Sequence, residues 1–147
     1  MSKFTEIFEY LRDELIAWKH KDTMPNVSGE GFNDRNVLDI VGTLPTANVF
    51  DFVYIRPPVM ANQKLTTGTH NTERSTQTYT IEVFCKRGGT GNSMKRATRE
   101  ALEETTSYII NLFSRLGFTI SVTAPDLRYL DDNTARQIIT ITKTFIS

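Results

Sequence analysis

Pro57-Pro58-Val59-Met60-Ala61-Asn62-Gln63-Lys64-Leu65-Thr66-Thr67-Gly68-Thr69-His70-Asn71-Thr72-Glu73-Arg74-Ser75 stands between two segments with strand chemistry. The length of this run is what most needs a physical reason. It is dominated by Thr, Asn, Gln and charged residues, opens on two prolines and carries Gly68. Connections inside compact domains are usually about 4 to 6 residues long, and longer ones have a functional or disordered role. Nothing near this run assembles a catalytic constellation. The composition therefore predicts a long loop over residues 57–75, an arm whose partner is another protein subunit. Its side chains Met60, Lys64, Leu65, His70 and Arg74 are the ones offered to that partner.

On the N-terminal side of the run, residues 48–56 are β-branched and aromatic almost throughout, and Pro57-Pro58 ends them because proline cannot donate to a ladder. On its C-terminal side, residues 76–86 alternate, with Tyr79, Ile81, Val83 and Cys85 on one face and Thr78, Thr80, Glu82 and Phe84 on the other. The two strands are expected to pair as a hairpin with an oversized loop.

Further out lie two helices. Phe4, Ile7, Phe8, Leu11, Leu15 and Trp18 recur at helical spacing from Phe4 to about His20, with acidic residues early and Lys19, His20 and Lys21 late, as the helix dipole favours. A second helix is predicted from Met94 to about Leu116, capped by Asn92 or Ser93 and closed by Gly117. Its apolar stripe is read as Met94, Ala97, Ala101, Tyr108, Ile109, Leu112, Phe113 and Leu116. Residues 22–47, broken by Pro25, Gly29, Gly31, Gly42 and Pro45, read as a loop with one short helical turn. Strand-like segments at 118–124 and 135–146, joined through Pro125 and Asp131-Asp132-Asn133, close the chain. The expectation is one α+β domain over residues 1–147: a four-stranded, mainly antiparallel sheet with both helices on one face.

A chain of 147 residues can bury a core without disulfides or metals, and 39% apolar with 10% aromatic residues argues for a folded globule. Seventeen basic and seventeen acidic residues cancel, so any electrostatic partner must be met by a local patch. The single Cys85 has no internal partner, which fits a reducing site of synthesis. The acidic N-terminal helix is wrong for a signal peptide, and no apolar run nears the roughly 20 residues a bilayer requires. A soluble protein without membrane attachment is expected.

His20, His70 and Cys85 fall on separate elements without metal-ligand spacing, and no serine stands in a Gly-x-Ser-x-Gly elbow. Gly88, Gly89 and Gly91 lie between a strand and a helix, but without the lysine and hydroxyl ending of a phosphate-binding P-loop. No enzyme activity, cofactor or metal is expected. More distinctive are Lys86, Arg87, Lys95, Arg96 and Arg99, with no acidic residue between 86 and 99 and with three of them in the first turns of a helix, where the dipole disfavours cations. They read as a solvated helix face, as one half of an intersubunit charge pair with Glu100, Glu103 and Glu104, or as a phosphate-facing patch.

The order of these elements, an N-terminal amphipathic helix from Phe4, two strands flanking a long polar run, a second long helix and closing strands to Ile146, resembles the tail-terminator or tail-completion proteins of tailed bacteriophages. The resemblance is one of element pattern and covers nearly the whole chain. It implies a homohexameric ring that caps the tail tube, stops its polymerisation and joins tail to head through a head-completion or neck protein, with DNA passing unread through the lumen. It places the protein in the virion, at the head-proximal end of the tail, after assembly in the host cytoplasm. Residues 57–75 would then reach toward the tube or the neighbouring subunit, and the basic segment at 86–99 would face the lumen or a neighbour's acidic surface. A head-completion or stopper protein and a small nucleic-acid-binding module are the alternatives.

Overall fold

A computed structural model describes residues 3–18, 32, 36–39, 50–67, 70–86, 91–123 and 134–146. Its elements are α1 (Lys3–Ala17), β1 (Val37–Leu38), β2 (Phe50–Ile55), β3 (Val59–Thr67), β4 (His70–Lys86), α2 (Gly91–Arg115), β5 (Thr119–Val122) and β6 (Thr134–Ile146). The α+β class and the two helices agree with the expectation. The polar run does not. Residues 59–67 and 70–75 are strand rather than loop: Val59–Thr67 pairs antiparallel with His70–Thr78, from Val59↔Thr78 to Thr67↔His70. Threonine-rich polar sequence makes a strand when its partner supplies the ladder.

β4 organises the sheet. Along one edge it pairs with β6 from Arg74↔Ile146 to Lys86↔Thr134, and along the other it takes β3 first and then β2, from Ile55↔Ile81 to Phe50↔Lys86. Arg56, Pro57 and Pro58 are the break that moves the chain from β2 to β3 along the same edge. β5 lies beyond β6, and β1 runs parallel to β2. The sheet thus has six strands rather than four and is mixed, in the order β1-β2-β4-β6-β5 with β3 beside β4. Val37–Leu38, expected near a helical turn, is the extra edge strand; two residues are too few to show a period.

Both helices cover one face. Tyr79, Ile81, Val83 and Cys85 of β4 join Val53, Ile55, Ile139 and Ile141 from neighbouring strands, Ile7, Leu11 and Leu15 from α1, and Ala101, Leu102, Ile109, Leu112 and Phe113 from α2 in one core. The helices pack antiparallel on each other through aromatic residues. Tyr10 donates its hydroxyl to Leu112 O (3.4 Å), Tyr108 donates to Glu14 O (3.2 Å), and Trp18 stacks on Tyr108 with centroids 4.2 Å apart. Tyr79 is fully buried at the centre and donates to Gln77 Oε1; burial raises its phenol pKa.

The C-terminal end of α2 is closed as expected. Gly117 adopts φ +84°, Gly117 N–H donates to Ser114 O, and Phe118 N–H donates to Phe113 O, while the Phe113 and Phe118 rings meet edge to face at 5.4 Å. This is a Schellman motif with its hydrophobic contact. Lys143 Nζ adds a bond to Leu116 O at 2.6 Å, placing a cation on the negative end of the helix dipole.

The stripe read for α2 needs correction. Leu116 is exposed, whereas Thr98, Leu102, Thr105 and Thr106 are buried. The Oγ1 atoms of Thr105 and Thr106 lack hydrogen-bond partners. An unpartnered buried hydroxyl loses its hydration without return, so an apolar isostere is favoured there. Thr105→Val is expected to raise the unfolding free energy by about 1 kcal/mol, read as a higher urea midpoint at unchanged slope.

Candidate interaction surface

Two features reach beyond this core, and both come from β4. The first is a ribbon. The β4–β6 ladder begins at Arg74, but the β3–β4 ladder continues through Lys64↔Glu73, Leu65↔Thr72, Thr66↔Asn71 and Thr67↔His70. Those four pairs overhang the sheet by about 13 Å at the usual rise per residue. Among the described residues, β3 pairs only with β4 and β5 only with β6, so each presents an outer edge of backbone donors and acceptors. The two edges differ in length and chemistry, and each carries a large exposed apolar side chain: Val59 on β3 (75% exposed) and Val122 on β5.

The second is the face of the sheet that the helices leave open. Cross-strand partners share a face, so the register gathers Thr76, Thr78 and Thr80 of β4 with Thr144, Thr142 and Thr140 of β6, and the last two with Thr119 and Ser121 of β5. Thr76 and Thr144 hydroxyls lie 3.1 Å apart, and Thr78 and Thr142 hydroxyls 3.3 Å apart. At the far end, Phe52 and Phe84 meet edge to face and pack with Leu38 and Tyr54 in a small second cluster.

Between the hydroxyl rows and the aromatic cluster sits Glu82, whose side chain is only 6% exposed. Arg56 reaches its Oε2 through Nε at 3.0 Å and Nη2 at 2.9 Å, and Arg136 Nη1 reaches its Oε1 at 3.4 Å. The Arg56 guanidinium also lies 5.8 Å from the centroid of the Tyr54 ring. A buried carboxylate between two cations is satisfied at both oxygens and holds both guanidinium groups in place. Arg56 and Arg136 keep side-chain exposures of 56% and 36%. Sequence reading missed this trio because its members are far apart in sequence, Glu82 on β4, Arg136 on β6 and Arg56 just after β2; the visible signal was a lone carboxylate, Glu82, on an otherwise Thr- and Phe-bearing face.

The residues singled out in the sequence are distributed as follows. Lys64, Leu65 and His70 fall on the overhanging ribbon, Met60 pairs with Gln77, and Arg74 lies where the ribbon leaves the sheet, exposed and in register with Gln63 and Ile146. The basic segment divides between the end of β4 and α2. Lys86 is buried at the end of β4, whereas Arg96 and Arg99 are exposed on α2, and Arg99 pairs with Glu103 at 3.8 Å. Lys95 belongs to the first turns of α2 and Glu104 is half-buried on the same helix. Arg87 and His20 lie outside the described residues. Asn92 and Ser93, expected as caps, fall inside α2. Cys85 is buried on the helix-covered face.

Among the described residues no group of three or more His, Cys, Asp or Glu converges as a metal site, and no helix is long and apolar enough to cross a membrane. No family model and no curated protein matches the chain.

Arg56 and Arg136 serve Glu82 from opposite sides, so their contributions are coupled. Loss of either leaves one cation in place, whereas Arg56→Ala with Arg136→Ala strands a buried charge. The double variant is expected to lose about 3 kcal/mol or more, exceeding the sum of the single losses, in a urea-unfolding double-mutant cycle.

Proposed function

We propose that this chain is a structural subunit of a homohexameric ring at the head-proximal end of a phage tail or a phage-derived tail particle. The ring caps the tail tube, ends its polymerisation and meets the head-completion protein, and it catalyses no reaction. The observation that carries this reading is the β3–β4 ribbon overhanging its sheet by four residue pairs. An isolated two-stranded ribbon is marginal in water, and an open strand edge invites pairing with another chain. A neighbour that completes the ribbon, in the ring or on the tube below, supplies a physical reason for its length. The unlike β3 and β5 edges suit head-to-tail association, in which one face of each subunit meets a different face of the next and a rotation closes the ring.

Light scattering of the purified chain is expected to give a particle of six times 16.7 kDa, either alone or after addition of tail tubes. A monomer in both conditions overturns the ring. A second variant isolates the ribbon. Replacing residues 64–73 by Asn-Gly joins the register partners Gln63 and Arg74 through a two-residue turn and leaves the β4–β6 ladder whole. Its thermal midpoint is expected to stay within a few degrees of the parent, while co-sedimentation with tail tubes is lost. Retained co-sedimentation shows that the ribbon is not the attachment arm.

A further inference from the structure

The chain has no net charge, and its helical side mixes both signs, with Lys3, Arg96, Arg99 and Arg115 exposed among the carboxylates. Arg74 and Arg136 fall on the open side by register and Arg56 by its bonds to Glu82, all at least partly exposed. The carboxylate among them, Glu82, is buried beneath the Arg56 and Arg136 guanidinium groups. Every described carboxylate side chain in the exposed class, Glu6, Asp13, Glu100 and Glu103, lies on the helices instead. The open face therefore presents positive charge and a carpet of hydroxyls. Of its aromatic rings, Phe52 and Phe84 are buried in their own cluster and the partly buried Tyr54 has the Arg56 guanidinium over its ring, so no free stacking platform is offered.

We infer that this open face is a binding surface for the phosphate backbone of duplex DNA, without sequence readout. The inference deepens the ring reading and rests on it for setting, since a ring lumen is what brings DNA to the face. Charge complementarity selects a polyanion. Hydroxyls of Thr and Ser and guanidinium groups of Arg are the side chains that contact phosphate and sugar oxygens. Apart from Val59, which stands opposite Thr78 at the margin, the exposed side chains along the hydroxyl rows are polar; this separates the face from the core of a protein–protein interface, which is apolar, and matches protein–DNA interfaces, which are polar and positive. Glu82 is the positioning residue: by fixing two guanidinium groups before DNA arrives, it lowers the entropy lost when they meet phosphate. Single-stranded nucleic acid is disfavoured, because sequence-tolerant binding of exposed bases depends on accessible aromatic faces.

The test is fluorescence anisotropy of a labelled 30-base-pair duplex of arbitrary sequence with the full chain, at salt concentrations from 20 to 200 mM. Binding is expected to weaken with salt with a log–log slope of about −2 to −3, one phosphate for each of the three arginines. Arg74→Glu and Thr142→Glu, each placing a negative charge on the open face, are expected to weaken binding at least tenfold. Arg99→Glu on α2 is expected to leave it unchanged. Absence of binding at 20 mM salt, or a loss with Arg99→Glu that matches the loss with Arg74→Glu, overturns the inference. So does a tighter fit to single-stranded DNA. If Arg74→Glu abolishes self-association while DNA binding persists, the face is a subunit interface and the inference fails. Light scattering on the same samples separates the two readings: a hexamer without DNA binding removes only the open-face assignment, and a monomer that binds through Arg74 removes only the ring.

Discussion

β4 has two edges and two faces, and nearly every other element is placed by one of them. One edge takes β6 along thirteen register pairs, and the other takes β3 and then β2. One face carries Tyr79, Ile81, Val83 and Cys85 into the core, and the opposite face carries Thr76, Thr78, Thr80, Glu82 and Phe84. Register is locked by this difference. A slip of one residue would drive Glu82 and the threonines beneath the helices and expose Tyr79 and Ile81, at a cost no loop rearrangement could offset. The helices follow from the same constraint, because the apolar face must be covered and Leu11, Leu15, Leu102, Ile109 and Phe113 are the side chains that cover it.

Covering only one face leaves a subunit with two chemically unlike sides. The helical side carries the exposed carboxylates, interleaved with Arg96 and Arg99; the sheet side carries hydroxyls and arginines over a sequestered glutamate. Such asymmetry costs little within one subunit, since the arginines are held by Glu82 and remain partly hydrated. It gains meaning in an assembly whose subunits meet along their sheet edges while the open side faces a lumen, which is the arrangement proposed. The ribbon and the unpaired β5 edge add a second asymmetry in the plane of the sheet.

Much of this was legible in the residues. The heptad-like spacing from Phe4 to Trp18, the alternation from Tyr79 to Cys85 and the stop at Gly117 each report a local rule, and the corresponding helix, strand and Schellman motif are present. The failures share a cause. Residues 59–75 have no apolar alternation because one stretch overhangs the sheet and the rest lies along its polar margin, so the periodic signal of a half-buried strand is missing. Thr98, Thr105 and Thr106 look like surface residues on α2 because a hydroxyl counts as polar, although their methyl groups let them enter the core. Val37–Leu38 pairs with Val53 and Tyr54 from sixteen positions away, a contact that no local pattern announces.

By itself, then, the sequence determined what depends on neighbours along the chain: the positions of the two helices, the stop at Gly117 and the core-facing side of β4. The tertiary structure alone decided what depends on residues far apart in sequence. Arg56, Glu82 and Arg136 become one charge cluster, Thr76 meets Thr144, and the polar run becomes a ribbon, because a β-ladder is closed by a distant strand whose register is chosen by burial of the opposite face. Helical patterns are written within a few residues, whereas sheet surfaces are assembled across strands, so the candidate DNA-facing side emerged only when β4 and β6 were set side by side.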